Sequence, residues 1–118
     1  MLKYLKNKKE NLLLEVGLSE EKLKVIKEKY PNKIPIVVFT NESINIDRRK
    51  YLVDENFLFS ELMTLFRRRI SGINEAEGLY MFIGDKQKMV PLSKRINEVF
   101  DENDKYLKIT LTKENTFG

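Results

Sequence analysis

The sequence predicts an α+β protein in which a mixed β-sheet is covered by helices. Three observations lead there. The apolar spacing changes along the chain: helical at 20–30 and 58–70, β-branched and aromatic at 34–39, and strictly alternating at 106–112. Segments 34–39 and 79–83 are apolar at nearly every position, the pattern of strands buried on both faces. The length, 118 residues, is that of one domain able to bury roughly two-thirds of its unfolded surface.

Each element has a local reason. Leu2, Leu5, Leu12 and Leu13 mark a weakly patterned first helix ending near Gly17. Ser19 is a favourable N-cap for a second helix. Leu18 and Leu23 stand at the hydrophobic-staple positions. Glu20 and Glu21 fall in its first turn, where the helix dipole favours acids. Leu23, Ile26 and Tyr30 keep one face apolar, and Pro31 stops it. A strand follows at 34–39 with Pro35 near its start, then a polar loop at 41–47 and a short strand at 50–53. Phe59, Leu62, Met63, Phe66 and Ile70 make residues 58–70 the best amphipathic helix of the chain, with Gly72 just past it as a helix-ending residue. A strand at 79–83 leads into a Gly84-Asp85 turn. Leu92, Ile96, Val99 and Phe100 mark a short helix. Leu107, Ile109 and Leu111 line one face of a last strand at 106–112. The order is ααββαβαβ, whose ββαβαβ core is that of a ubiquitin-like β-grasp with two extra N-terminal helices packed on the sheet. The expected units are a helical extension at 1–30, a ubiquitin-like domain at 31–112 and a flexible tail at 113–118.

Composition removes many chemistries. There is no cysteine, histidine or tryptophan. Disulfides, Cys/His zinc sites and triads built on histidine are excluded, so neither a cofactor nor catalysis is expected. The net charge of +4 is uneven: residues 1–50 carry a balance of +5 and residues 51–118 one of −1. A basic half attracts acidic peptides, anionic lipid or nucleic acid, and equally suits a solvated lysine-rich surface. The Arg67-Arg68-Arg69 run lacks the stacking aromatics of an RNA-binding motif, so no nucleic-acid partner is expected. No apolar run approaches ~18 residues, so no membrane span is expected, and the N-terminus does not read as a secretory leader.

Four stretches carry a resemblance: KYPNKIPIVV at 29–38, DRRKYLV at 47–53, RRRI at 67–70 and ENTFG at 114–118. In order and spacing, over residues 23–118, they resemble the autophagy ubiquitin-like modifiers of the GABARAP and microtubule-associated-protein light-chain type. The resemblance implies conjugation of Gly118 to phosphatidylethanolamine. Activating and conjugating enzymes with catalytic cysteines would carry it out, and a processing or delipidating cysteine protease would act on the same bond. It implies a cytoplasmic protein that moves to autophagosomes or related vesicle membranes when lipidated.

It also implies a docking site for receptor peptides with aromatic-x-x-aliphatic motifs, added as a strand to the 50–53 edge. The aromatic pocket would be Ile26, Pro35, Val37, Lys50, Leu52 and Tyr106. The aliphatic pocket would be Tyr51, Leu52, Phe57, Leu62 and Leu65. Arg49, Lys50 and Arg67 would meet the acidic residues flanking such motifs. By spacing alone, each pocket residue reads as plain core and the arginine run as a solvated helix end. The chain departs from the family pattern at Glu15 to Ser19, at Lys22, where an acid is usual, and at Asp54, where a proline is usual. An unconjugated β-grasp adaptor that only binds peptides is the alternative function.

Overall fold

The computed structural model describes residues 19–40, 44–73, 77–101 and 103–113. The expected first helix, the staple residue Leu18 and the ENTFG tail lie outside the described residues. Helix α1 spans Glu20–Lys29. Ser19 caps it as expected: its backbone is extended and its hydroxyl accepts the Lys22 amide at 3.1 Å. Tyr30 closes the helix by donating its N–H to the Ile26 carbonyl, and Pro31 follows.

Among the described residues, seven strands and two further helices complete the order: β1 (Lys33–Thr40), β2 (Asn45–Ile46), β3 (Lys50–Asp54), then α2 (Phe59–Arg69), β4 (Ile70–Ser71), β5 (Leu79–Ile83), β6 (Lys88–Met89), α3 (Ile96–Val99) and β7 (Leu107–Lys113). The main sheet runs β3-β1-β7-β5-β6; β2 and β4 form a separate two-stranded ribbon. β1 is parallel to β7 and antiparallel to β3.

Register assigns the faces. Ile34, Ile36 and Val38 of β1 share a face with Tyr51 and Val53 of β3, with Leu107, Ile109 and Leu111 of β7, and with Leu79, Met81 and Ile83 of β5. Helix α2 packs here through Phe59, Leu62 and Phe66, all fully buried. Each such side chain contributes roughly 1.5–3 kcal/mol of burial. Ile96 of α3 seals the same core. The opposite face holds a smaller cluster: Leu23 of α1 on Val37, flanked by Phe39 and Tyr106.

Pro35 sits in an interior strand without breaking a ladder. Val38 donates its N–H to Arg49 across the β3 side, so alternation points position 35 toward β7. The β7 ladder begins only at Ile36, and the donor missing from proline has no partner there to lose.

Four expectations need correction. The 41–47 stretch is not simply a polar loop: Ile44 and Ile46 are core, and Asn45–Ile46 pairs with Ile70–Ser71. Gly72 does not end the helix. α2 stops at Arg69 with Ile70 extended, and Gly72 (φ 82°) closes β4 in the left-handed conformation glycine tolerates. The late helix is a single turn that excludes Leu92, which is exposed. Strand 79–83 is not buried on both faces, because Tyr80 is 39% exposed. Helix α1, about 15 Å long, covers β1. β7 lies between β1 and β5, so this helix leaves the β5 face open.

Candidate functional site

β3 is the outermost strand of the main sheet, and among the described residues no strand pairs with its outer side. The Val38 to Arg49 hydrogen bond sets the alternation. Arg49, Tyr51 and Val53 direct their backbone groups to β1. Lys50 and Leu52 direct theirs outward, as free donors and acceptors at an edge. Pro35 stands opposite Leu52 in the register, consistent with a pair that exchanges no ladder bonds.

The side chains split across the strand. Lys50 and Leu52 lie on the α1 side, opposite Val37 and Pro35. Lys50 is exposed and Leu52 half-buried. Of the other expected aromatic-pocket residues, Val37 is fully buried beneath Leu23, and Tyr106 packs against that pair. Burial raises the Tyr106 hydroxyl pKa, and Asp85 adds to the shift. A groove of about 610 Å³ opens beside α1 and shares Ile26 and Pro35 with the expected pocket. Its floor also takes in Leu23, Ile34 and Phe100, and its rim Lys24, Lys27 and Lys33. Lys105 reaches Glu20 across it as an exposed ion pair.

Tyr51 lies on the α2 side, with Leu65, Phe57 and the fully buried Leu62. Its ring meets Phe66 edge-on at 5.4 Å between centroids, and its hydroxyl donates to the Arg48 carbonyl at 2.8 Å. Burial raises the Tyr51 pKa, opposed by the charge of Arg69. The structure therefore puts Leu52 with the aromatic-pocket group and on the opposite side from Tyr51.

The three expected charge contacts occupy different settings. Lys50 is exposed on the surface. Arg49 donates to the Thr40 hydroxyl at 2.8 Å. Arg67 donates to the Glu77 carbonyl at 2.9 Å, beside the Lys113–Glu77 ion pair of 2.7 Å. Sequence reasoning missed Arg69, whose guanidinium lies 6.0 Å from the centre of the Tyr51 ring and pairs with Asp47 at 3.5 Å. Only the β2–β4 register, which sets Ile46 opposite Ile70, brings positions 47 and 69 together. The groove lysines at 24, 27 and 33 were also missed, since a lysine-rich helix has no sequence mark that distinguishes a rim from a solvated face. No group of acidic residues among the described ones is arranged to hold a metal ion.

A mixed sheet in this order, crossed by one long helix and bearing an open edge strand, defines a ubiquitin-like protein. A family model described as "Autophagy protein Atg8 ubiquitin like" matches residues 19–118. The chain belongs to this family. It is 33% identical over 99 residues to autophagy-related protein 8c of Arabidopsis thaliana, covering 79% of this chain and 81% of that one. It is 30% identical over 111 residues to autophagy-related protein 8a of the same plant, covering 89% and 87%. The crystal structure of Trypanosoma brucei ATG8 superposes with a TM-score of 0.64 at 21% identity, over 83% of this chain and 87% of that one, a likeness of fold.

Proposed function

We propose that the chain is a ubiquitin-like modifier of autophagy that is joined through Gly118 to phosphatidylethanolamine and recruits receptors by adding their peptides to β3. The observation that carries the docking half is the open edge: outward backbone groups at Lys50 and Leu52, with separate apolar sets on the two sides of the strand. A peptide strand laid there gains main-chain hydrogen bonds, while alternate side chains enter either side. The aromatic residue belongs to the Ile26, Pro35 and Leu52 side, and the aliphatic residue to the Tyr51, Phe57 and Leu65 side.

The conjugation half rests on the family and on a match that runs to residue 118. Its chemistry needs the C-terminal carboxylate to be adenylated, passed to an enzyme cysteine as a thioester, and transferred to the lipid amine with release of the thiol. This chain has no cysteine of its own, so those thiols belong to the activating and conjugating enzymes. A cysteine protease that cleaves at Gly118 completes the cycle. The protein then divides between cytoplasm and autophagosomal membrane according to its lipidation state.

Reconstituted lipidation with the cognate enzymes, ATP and phosphatidylethanolamine liposomes tests the first half. Wild type should acquire a lipidated form, whereas a chain lacking Gly118 should not. Equal behaviour rules conjugation out and leaves the peptide-binding adaptor. For the second half, the Lys50→Ala, Leu52→Ala double variant should lose at least tenfold in affinity for an aromatic-x-x-aliphatic peptide, as expected when buried central contacts are removed. Unchanged affinity would remove the edge from consideration.

A further inference from the structure

We infer that Arg95 is a positioning residue for the aliphatic side of the β3 edge: its guanidinium fixes the loop that carries Phe57, without touching the docked peptide. The inference rests on the peptide-docking reading above.

Residues 55–58 link β3 to α2. Within them Phe57 is half-buried and packs against the core. Its place depends on how the loop backbone is held, and each backbone group from 55 to 58 has an identifiable partner. Glu55 donates its N–H to the Asn32 carbonyl at 2.9 Å. Asp54 closes a turn: its carboxylate accepts the Asn56 N–H at 2.8 Å and its carbonyl accepts the Phe57 N–H at 3.0 Å. The proline usual at position 54 has no side-chain acceptor for that first bond. Leu58 donates to the Glu61 carboxylate at 3.0 Å and accepts from the Leu62 N–H at 3.1 Å.

The three remaining carbonyls are consecutive, and residues 95–97 serve all of them. Ile96 and Asn97 donate their backbone N–H groups to the Phe57 and Glu55 carbonyls at 2.9 and 3.0 Å. The Asn56 carbonyl between them accepts from the Arg95 guanidinium at 2.8 Å. The Asn97 side-chain amide adds a bond to the Asn56 side-chain oxygen at 3.2 Å. The donor segment is itself fixed, because Ile96 is fully buried in the core. Of the three carbonyl bonds, the Arg95 bond alone depends on residue type. Arg95 and Asn56 are both exposed. Water can satisfy an exposed carbonyl once the guanidinium is removed, so global stability changes little. Water does not hold the loop in place, so the wall offered by Phe57 is no longer preorganised for a ligand.

The test is a fluorescence-anisotropy titration with a labelled, neutral-flanked aromatic-x-x-aliphatic peptide, whose lack of charge removes direct attraction to an arginine. Wild type, Arg95→Ala, Arg95→Lys, Phe57→Ala and the Arg95→Ala, Phe57→Ala double variant are compared. Arg95→Ala should weaken binding about three- to tenfold, with the thermal midpoint within about 5 °C of wild type. Arg95→Lys should recover part of the loss, since an ammonium can also donate to a carbonyl. In the Phe57→Ala background, Arg95→Ala should have no further effect, because the side chain it positions is gone. Two outcomes overturn the proposal: unchanged affinity in Arg95→Ala, or an undiminished loss in the Phe57→Ala background, which marks direct contact with the peptide. Failure of wild type to bind the peptide overturns the docking reading itself. The clasp is then judged by hydrogen exchange at the Ile96 and Asn97 amides, which report the loop carbonyls they bond. Faster exchange in Arg95→Ala supports it, and unchanged exchange overturns it.

Discussion

At the scale of single residues, the two perturbed tyrosines set a pH dependence. Burial raises both Tyr51 and Tyr106 above the ordinary phenol value of 10.0. The protonated forms are favoured in the fold. The stabilisation they bring is complete below the unfolded pKa and is lost as pH rises through the folded one. As pH rises past 10.0 the thermal midpoint of wild type should fall more steeply than that of Tyr106→Phe, which has no phenol to ionise at that position. Parallel curves in a pH series of calorimetric scans would contradict this. Ser19 offers a second check. Its hydroxyl accepts one amide at the start of α1, so Ser19→Ala should cost about 1 kcal/mol in denaturant titration. The residue type and its place before an acidic first turn announced that cap in the sequence. The partnership of Arg69 with Tyr51 and Asp47 had no such mark.

The elements show how far periodicity reaches. Helix α2 was legible because its buried positions, Phe59, Leu62 and Phe66, recur at three- and four-residue intervals. The β2–β4 ribbon was not: two residues per strand are too few to show a period, and Ile44 and Ile46 stand among polar neighbours. Ile46 is nonetheless almost fully buried, so Ile46→Ala should destabilise the fold by about 2–4 kcal/mol. An exposed loop would lose almost nothing. The β3 edge allows a mutation-free test by hydrogen exchange. Amides of Tyr51 and Val53, directed to β1, should be protected with or without peptide. Those of Lys50 and Leu52 should exchange fast in the free protein and slow on binding, because they have no ladder partner until a strand is added.

Across the whole molecule, the basic N-terminal half now has locations. Lys24, Lys27 and Lys33 rim the groove beside α1, and Arg48, Arg49 and Lys50 stand at the start of the edge strand. This arrangement favours acidic ligands through long-range attraction, which salt screens. Affinity for an acidic-flanked peptide should drop at least threefold between about 0.05 and 0.5 M salt, while a neutral-flanked peptide should change little. Equal salt slopes for the two would assign the basic surface no part in docking. The Tyr80 side of the sheet, open among the described residues, belongs to this scale too: the distance from α1 to β5 depends on strand order and not on anything local to residue 80.

The sequence by itself determined the β-grasp order, the cap of α1, the long amphipathic helix and the family. These follow from spacing between near neighbours and from short motifs, both of which are local. The tertiary structure decided what depends on residues far apart in the chain. Strand order made β3 an edge and β1 an interior strand. Register put Leu52 with Pro35 and Tyr51 with Phe66, so one strand serves two apolar sets. Chain closure through β2 and β4 set Arg69 beside Asp47 and over Tyr51. Alternation along a strand fixes which residues share a face, but only packing fixes which face is covered and what stands opposite.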